Sequence, residues 1–199
     1  DIDYHDEAAC PLWDKCLLDW FGPDVGGGDK VRALQEFFGY TLLAHNKYKK
    51  ALMLYGKGDT GKSVVANIMR ELVGAQNCCQ IQVDKLSDPR ALAPIKGKMI
   101  NLITELPEDV MIADGGFKQL VGTDELIQID QKYRQPEFYL PTCKHVFATN
   151  NLPNINDKTA ATFNRILLIQ FGNVVSAETQ DRSLHGKLCD DLPGILNWA

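Results

Sequence analysis

The first part of the chain carries hydrophobic residues at helical spacing, before any strand-like pattern begins. Helices are predicted over residues 8–21 and 30–44, because apolar side chains recur three and four positions apart in both segments. Those side chains are Leu12, Trp13, Cys16, Leu17 and Trp20, then Val31, Leu34, Phe37, Phe38 and Leu42. Gly22-Pro23 and the glycines at 26–28 predict a break between the two helices. We expect a helical N-terminal unit over residues 1–48, with its aromatic stripe in the core.

Short apolar runs then alternate with helical patterns. Strands are predicted over residues 51–55, 80–83, 98–104, 144–149 and 165–171, and helices over 63–73 and 114–121. Residues 126–130 alternate between apolar and polar side chains, which predicts a hairpin arm. Strands separated by helices are typical of an α/β fold with a parallel sheet flanked by helices. We expect this core over residues 49–175, followed by a C-terminal helical segment that begins in residues 176–199.

The stretch GKGDTGKS at residues 56–63 fits the P-loop template between a predicted strand and a predicted helix. Its glycines allow backbone N–H groups to face phosphates, and the following helix N-terminus favours an anion. Lys62 would supply a positive charge to the β- and γ-phosphates, and Ser63 a hydroxyl ligand for Mg²⁺. The chain is therefore predicted to bind ATP with Mg²⁺. The nucleotide-binding residues are predicted to be Gly56, Gly58, Asp59, Thr60, Gly61, Lys62, Ser63 and Val64.

Composition narrows the class of protein further. A chain of 199 residues with 45% hydrophobic residues suits one globular domain, and it contains no apolar run of membrane-spanning length. The formal charge of −5 argues against a broad basic face for nucleic acid, but it does not exclude a narrow basic channel. Six cysteines without a C-x-x-C pair are expected to be free thiols in a reducing cytoplasm. The chain lacks a signal peptide and an initial Met, and we expect it to be a piece of a longer protein.

Hydrolysis of a nucleotide needs polar groups beyond the P-loop. Glu105 follows a predicted strand, where it could orient water or hold Mg²⁺, and the alternative is a solvated loop glutamate. Asn150 also follows a predicted strand and could hold the attacking water, but Asn-Asn before a proline is equally a turn signal. Arg165 opens the last predicted strand and is either a surface arginine or a cation for the phosphates of a neighbouring subunit.

Four segments in order, GKGDTGKS, NLITEL, HVFATNNLP and FNRILLIQF, resemble the superfamily 3 helicases of the AAA+ class. The likeness is greatest to the helicase portion of phage and plasmid primase-helicases, akin to the poxvirus primase-helicase. It covers residues 12–199 and includes the C-terminal LPGILNWA. The resemblance implies that Lys62 and Ser63 bind phosphate and Mg²⁺ and that Glu105 is the second acidic motif. It also implies that Asn150 is a sensor residue and Arg165 an arginine finger acting in trans.

The same resemblance implies a DNA-gripping hairpin between residues 117 and 136. Lys118, Lys132 and Arg134 are the candidate phosphate contacts, and solvated charge is the alternative for each. The sequence departs from the family pattern in three places. Thr104 stands where many P-loop ATPases have Asp, Asn164 where relatives often have a first arginine, and Thr123 where a second glycine is frequent.

The favoured hypothesis is an ATP-dependent DNA helicase motor that assembles on single-stranded DNA at replication forks. We expect the assembly to be a homo-hexameric ring. The resemblance implies a primase region on the same longer chain and a cytoplasmic location in a bacterial or phage-infected cell, without a membrane partner. Two alternatives stay open. One is a nucleotide-binding initiator or assembly module that does not unwind DNA, and the other is a P-loop kinase acting on a small molecule.

Overall fold

The computed structural model describes residues 2, 4–22, 24–112, 114–122, 125–155, 160–176, 178 and 180–199, with Asp114 described by its backbone alone. The α-helices of this part are α1 (Pro11–Phe21), α2 (Gly27–Thr41), α3 (Lys62–Val73), α4 (Asp114–Leu120), α5 (Ala160–Phe163), α6 (Leu184–Asp190) and α7 (Leu192–Trp198). The strands are β1 (Ala51–Tyr55), β2 (Cys78–Cys79), β3 (Ile100–Ile103), β4 (Met111–Ile112), β5 (Ile127–Ile129), β6 (Glu137–Tyr139), β7 (Lys144–Thr149), β8 (Asn154–Ile155) and β9 (Ile166–Gln170). None of the described helices is long and apolar enough to cross a membrane.

Five strands form the central sheet, in the order β2-β3-β7-β1-β9, and every pairing in it is parallel. Parallel strands need helical crossovers, and helices lie between the strands in the sequence. The predicted α/β fold with a parallel sheet flanked by helices is confirmed. Because the strands are parallel, their carboxyl ends meet at one edge of the sheet, where loops gather ligands in this class of fold.

The sheet separates two hydrophobic clusters. One cluster joins α1, α2, α3, α6 and α7 to one face of the sheet, with Leu52 and Leu54 of β1 in it. The other lies on the opposite face, where Ala51 and Met53 of β1 pack with α4 and with the inner side of β5. Successive residues of a strand point to opposite faces, so the continuous apolar run of β1 is buried from both sides.

The strand predicted over residues 80–83 is wrong in position. The structure places β2 at Cys78–Cys79, and residues 83–85 form a 3₁₀ turn. The Asn101 side chain explains this shift, since its Oδ1 accepts from the Ile81 N–H at 2.6 Å and its Nδ2 donates to the Ile81 carbonyl at 2.9 Å. These side-chain bonds take the place of strand pairing beyond Cys79.

The helix and hairpin predictions hold with shifted ends. Helix α1 begins at Pro11 rather than residue 8, because proline suits a first helical turn, and α2 begins at Gly27 rather than residue 30. The predicted hairpin is confirmed, since β5 pairs antiparallel with β6. The division at residues 48 and 175 stays a prediction.

Candidate functional site

The P-loop lies at the carboxyl edge of the sheet, between β1 and α3. Strand β1 ends at Tyr55, and α3 begins at Lys62. Asp59 and Gly61 both have left-handed backbones, with φ values of 56° and 96°. Aspartate tolerates this conformation better than most residues and glycine adopts it without strain, so the sequence D-x-G suits the loop.

Lys62 lies inside the loop rather than in solvent. Its ammonium donates to the carbonyl oxygens of Gly56 at 2.7 Å and Lys57 at 2.5 Å, and to the Thr60 hydroxyl at 3.3 Å. Burial lowers the pKa of Lys62, and the nearby Asp59 carboxylate opposes that shift. The loop therefore holds a positive charge at the point where the helix N-terminus also favours an anion.

Gly61 is in close contact with Trp20 of α1. A Cβ atom at Gly61 would lie 2.5 Å from the indole ring, which is closer than real Cβ contacts. Trp20 is almost fully buried and also packs on Phe171 beyond β9. Glycine is therefore required at position 61 both by backbone conformation and by this packing.

A cleft of about 440 Å³ opens beside the P-loop. The loop residues Gly58–Val64 line it together with Glu105 and Asn150, which follow β3 and β7. The Gly56 N–H donates to the Thr149 carbonyl at 3.2 Å, which joins the start of the loop to the end of β7. The fold therefore brings the predicted P-loop, acidic residue and asparagine into one cleft.

Glu105, Asn150 and Ser63 are all exposed at this cleft. Thr104, the residue that replaces a more usual aspartate, also lines it. Asn150 lies within a tight turn, in which the Asn151 N–H donates to the Thr149 hydroxyl at 3.2 Å. The turn and the site interpretation of Asn150 are thus compatible, because the turn itself lies at the cleft.

Two walls of the cleft come from residues that the sequence analysis did not assign to it. Helix α1 contributes Leu12, Lys15, Cys16, Asp19 and Trp20, and the segment after β9 contributes Val175, Gln180, Asp181 and Leu184. The Val175 N–H donates to the Asp59 carbonyl at 2.8 Å, so this segment is bonded directly to the P-loop. Lys15 and Asp19 are exposed on α1 and form an ion pair with each other at 3.2 Å, so the sequence pattern did not mark them as cleft residues.

Arg165 lies at the opposite edge of the sheet. Its carbonyl accepts from the N–H of Ala51, the first residue of β1, whereas the P-loop follows the last residue of that strand. Its Nη1 donates to the Ala161 carbonyl at 2.8 Å, and no described residue accepts from its Nε. The structure therefore does not bring Arg165 to the cleft of its own chain.

The predicted DNA contacts lie in two elements. Lys118 is half-buried on α4, whereas Lys132 and Arg134 are exposed in the turn between β5 and β6. The Arg134 N–H donates to the Gln131 carbonyl at 3.2 Å within this turn. Thr123, noted as a departure from the family pattern, lies outside the described residues.

The donors at the cleft fit a nucleoside triphosphate with Mg²⁺. The loop offers backbone N–H groups and the Lys62 ammonium for phosphates. The Trp20 ring leaves no room for a side chain at position 61. The Ser63 hydroxyl and the Glu105 carboxylate are oxygen ligands, which Mg²⁺ prefers.

A family model matches residues 54–165, more than half of the 199-residue chain, and its description is "Family of unknown function (DUF5906)". The chain belongs to the DUF5906 family. The matched segment begins at the end of β1 and ends at Arg165, so it contains the P-loop, Glu105 and Asn150.

The chain is also similar to a protein of Invertebrate iridescent virus 6 named "Putative helicase 184R", with 27% identity over 181 residues. That match covers 82% of this chain but only 19% of the viral protein. Among solved structures, the apo NrS-1 C-terminal region has a TM-score of 0.70 at 17% identity, over 99% of this chain and 46% of that one. The JCV helicase has a TM-score of 0.54 at 15% identity, over 94% of this chain and 51% of that one. The chain therefore spans about a fifth of the viral protein and about half of the two solved structures, and it shares the fold of those structures.

Proposed function

We propose that this chain is the ATP-driven motor domain of a replication helicase of the superfamily 3, AAA+ type. One observation carries the proposal: the P-loop, Glu105 and Asn150 line a single cleft, whereas Arg165 lies at the other edge of the sheet. The first three provide the groups that hydrolysis needs within one chain. We infer that the fourth serves a neighbouring chain.

Within one chain, the P-loop N–H groups and Lys62 would bind and orient the phosphates of ATP. Glu105 would orient the attacking water and accept its proton, and the Asn150 amide would hold that water beside the γ-phosphate. Ser63 and Glu105 would hold Mg²⁺, which neutralises phosphate charge when bound. Thr104 cannot replace an acidic ligand, so Glu105 and Ser63 carry that role.

Arg165 supports a ring arrangement. Five residues of β1 separate its edge of the sheet from the P-loop, a span of about 17 Å at roughly 3.3 Å per residue. An arginine that stabilises phosphate charge must lie beside the phosphates, so Arg165 can do so only in trans. Closed rings place such a residue at every interface, and we infer a homo-hexamer.

Hydrolysis at these interfaces would move the β5–β6 hairpin along single-stranded DNA at replication forks. Lys118, Lys132 and Arg134 would contact its phosphates. We further propose a cytoplasmic location, a primase region on the same longer chain, and the boundaries 1–48, 49–175 and 176–199 for the helical unit, motor core and C-terminal segment.

The test is ATP hydrolysis by wild-type, Lys62→Ala and Arg165→Ala chains over a range of protein concentrations, with and without single-stranded DNA. We expect turnover that rises with concentration and with DNA, and its loss in Lys62→Ala. Mixing Arg165→Ala chains into wild-type should lower activity more than dilution does, because each variant chain disables its neighbour's site. Lys50→Ala is the matched control, since Lys50 lies exposed at the same edge and donates to the Asn164 carbonyl.

Three results would contradict the proposal. Turnover independent of concentration, with Arg165→Ala fully active, would exclude the trans role. ATP binding with negligible turnover even on DNA would instead indicate a nucleotide-binding assembly module. Phosphorylation of a nucleoside by a monomer, without any response to DNA, would indicate a small-molecule kinase.

A further inference from the structure

The β5–β6 hairpin exposes aromatic side chains that the proposed function leaves without a role. Tyr133, in the turn, is 100% exposed, and Phe138 on β6 is 64% exposed. Leu126 and Leu140, at the base of the two strands, are exposed as well. Large apolar side chains grouped on one small element mark a surface that contacts another molecule.

The register of the hairpin fixes the outward direction of Phe138. Ile127 and Ile129 of β5 are buried in the core, and between them Gln128 is exposed. Phe138 pairs with Gln128, so both side chains lie on the solvent side of the hairpin. On the other side, the Tyr139 hydroxyl accepts from the Gly97 N–H at 3.1 Å and anchors the hairpin to the body.

Tyr133 has an unusual backbone for a bulky residue. Its φ is 63°, in the left-handed region that glycine adopts without strain. A tyrosine held there, with its ring fully in solvent, gains nothing from packing within the chain. Backbone strain of this kind is common at sites that bind a ligand, so the turn is a candidate binding element.

The charge around these aromatic rings favours a nucleic acid. Lys132 and Arg134 flank Tyr133 and are exposed. Glu137, the acidic residue next to Phe138, forms an ion pair with Lys96. The tip therefore presents two cations around an exposed ring, the combination with which proteins bind single strands without sequence preference.

We propose that Tyr133 and Phe138 stack on unpaired bases of single-stranded DNA while Lys132 and Arg134 contact its phosphates. The inference rests on the proposed function, in which the hairpin touches DNA, and adds that the protein binds bases as well as phosphates. An aromatic ring stacks on any base, so the contact is expected to be independent of sequence. The competing occupant of this surface is a second copy of the chain.

The experiment compares two oligonucleotides of equal length and charge, one of thymidine and one of abasic sites, by fluorescence anisotropy at fixed salt. We expect wild-type protein to bind the thymidine strand more tightly. Tyr133→Ala and Phe138→Ala should each weaken that binding roughly 5- to 160-fold, the effect of losing one stacked base, and leave binding to the abasic strand unchanged. Tyr4→Ala is the matched control, because Tyr4 is an exposed tyrosine outside the hairpin.

Tyr133→Gly separates binding from folding. Glycine relieves the left-handed backbone, so this variant should unfold at the same or a higher temperature and still lose thymidine affinity as Tyr133→Ala does. Lys132→Ala should weaken both oligonucleotides equally and reduce the dependence of binding on salt.

Three outcomes would overturn the inference. Equal wild-type affinity for both strands would restrict the hairpin to phosphate contacts and leave the proposed function intact. Smaller assemblies of Tyr133→Ala or Phe138→Ala in sedimentation velocity, with DNA affinity unchanged, would assign the surface to a second copy. Absence of wild-type binding to either strand would refute the hairpin's role in the proposed function and, with it, the stacking.

Discussion

Replacing Gly61 with alanine tests whether the P-loop depends on its contact with α1. Gly61 combines two constraints, a left-handed backbone with a φ of 96° and a Cβ position 2.5 Å from the Trp20 ring. Alanine would meet both at once. The P-loop template implies the first constraint, because it requires the glycine for its backbone, but it does not imply the contact with Trp20.

The expected cost follows from the two constraints. A non-glycine residue in the left-handed region costs about 1–2 kcal/mol, and forcing extra atoms into a packed interior costs about 1–3 kcal/mol. Gly61→Ala should therefore lower the free energy of unfolding by roughly 2–5 kcal/mol. For a chain of this size that corresponds to a fall in melting temperature of roughly 4–20 °C.

Urea denaturation and thermal melting of the nucleotide-free protein would measure the change. Gly58→Ala is the matched control, since Gly58 lies in the same loop and its Cβ would meet no described atom within 4 Å. It should stay within about 0.5 kcal/mol of wild type. In a double-mutant cycle, Trp20→Leu should remove the steric part of the Gly61→Ala cost, so that the double variant is more stable than the sum of the singles. Equal unfolding free energies for the two glycine variants would refute the reasoning.

Two buried polar side chains give further predictions. Asn101→Leu should lower the free energy of unfolding by about 2–5 kcal/mol, because it leaves the buried N–H and C=O of Ile81 unpaired. Urea denaturation would measure this change, and a loss below about 1 kcal/mol would contradict the prediction. Lys144 is buried beside the Tyr40 ring and the Leu43 carbonyl, and burial lowers its pKa to about 8. The unfolded chain therefore binds more protons between pH 8 and 10.5, so the stability of wild type relative to Lys144→Met should rise across that window, and a flat difference would contradict the assignment.

The sheet and the P-loop could be predicted because their sequence signals are local. Strands β1 and β7 are buried on both faces and have the predicted bounds, β1 as a continuous apolar run and β7 with an apolar centre at Val146–Ala148. Glu105 and Asn150 could be placed at one edge because each directly follows such a run, and the carboxyl ends of parallel strands meet.

The remaining features depend on contacts between residues far apart in the sequence. The end of β2 is set by Asn101, which lies 20 residues beyond its partner Ile81. The part that α1 plays in the cleft also could not be predicted. Its periodicity predicts a buried face but not that Cys16 and Trp20 line the cleft. Periodicity shows that a face is covered, and only the tertiary structure shows what covers it.

The walls of the cleft couple nucleotide binding to the stability of the whole chain. Trp20 touches Gly61 of the P-loop, and its carbonyl accepts from the Asn173 side chain at 3.0 Å. Val175, two residues further on, donates to the Asp59 carbonyl of the same loop. A ligand that fixes the loop therefore also fixes α1 and the segment that leads into α6. Because a ligand bound only by the folded state stabilises it, a nucleotide at 100 times its dissociation constant should add about 2.7 kcal/mol to the unfolding free energy. The bound nucleotide should therefore stabilise α1 and α6 as well, although the P-loop template does not include these helices in the site.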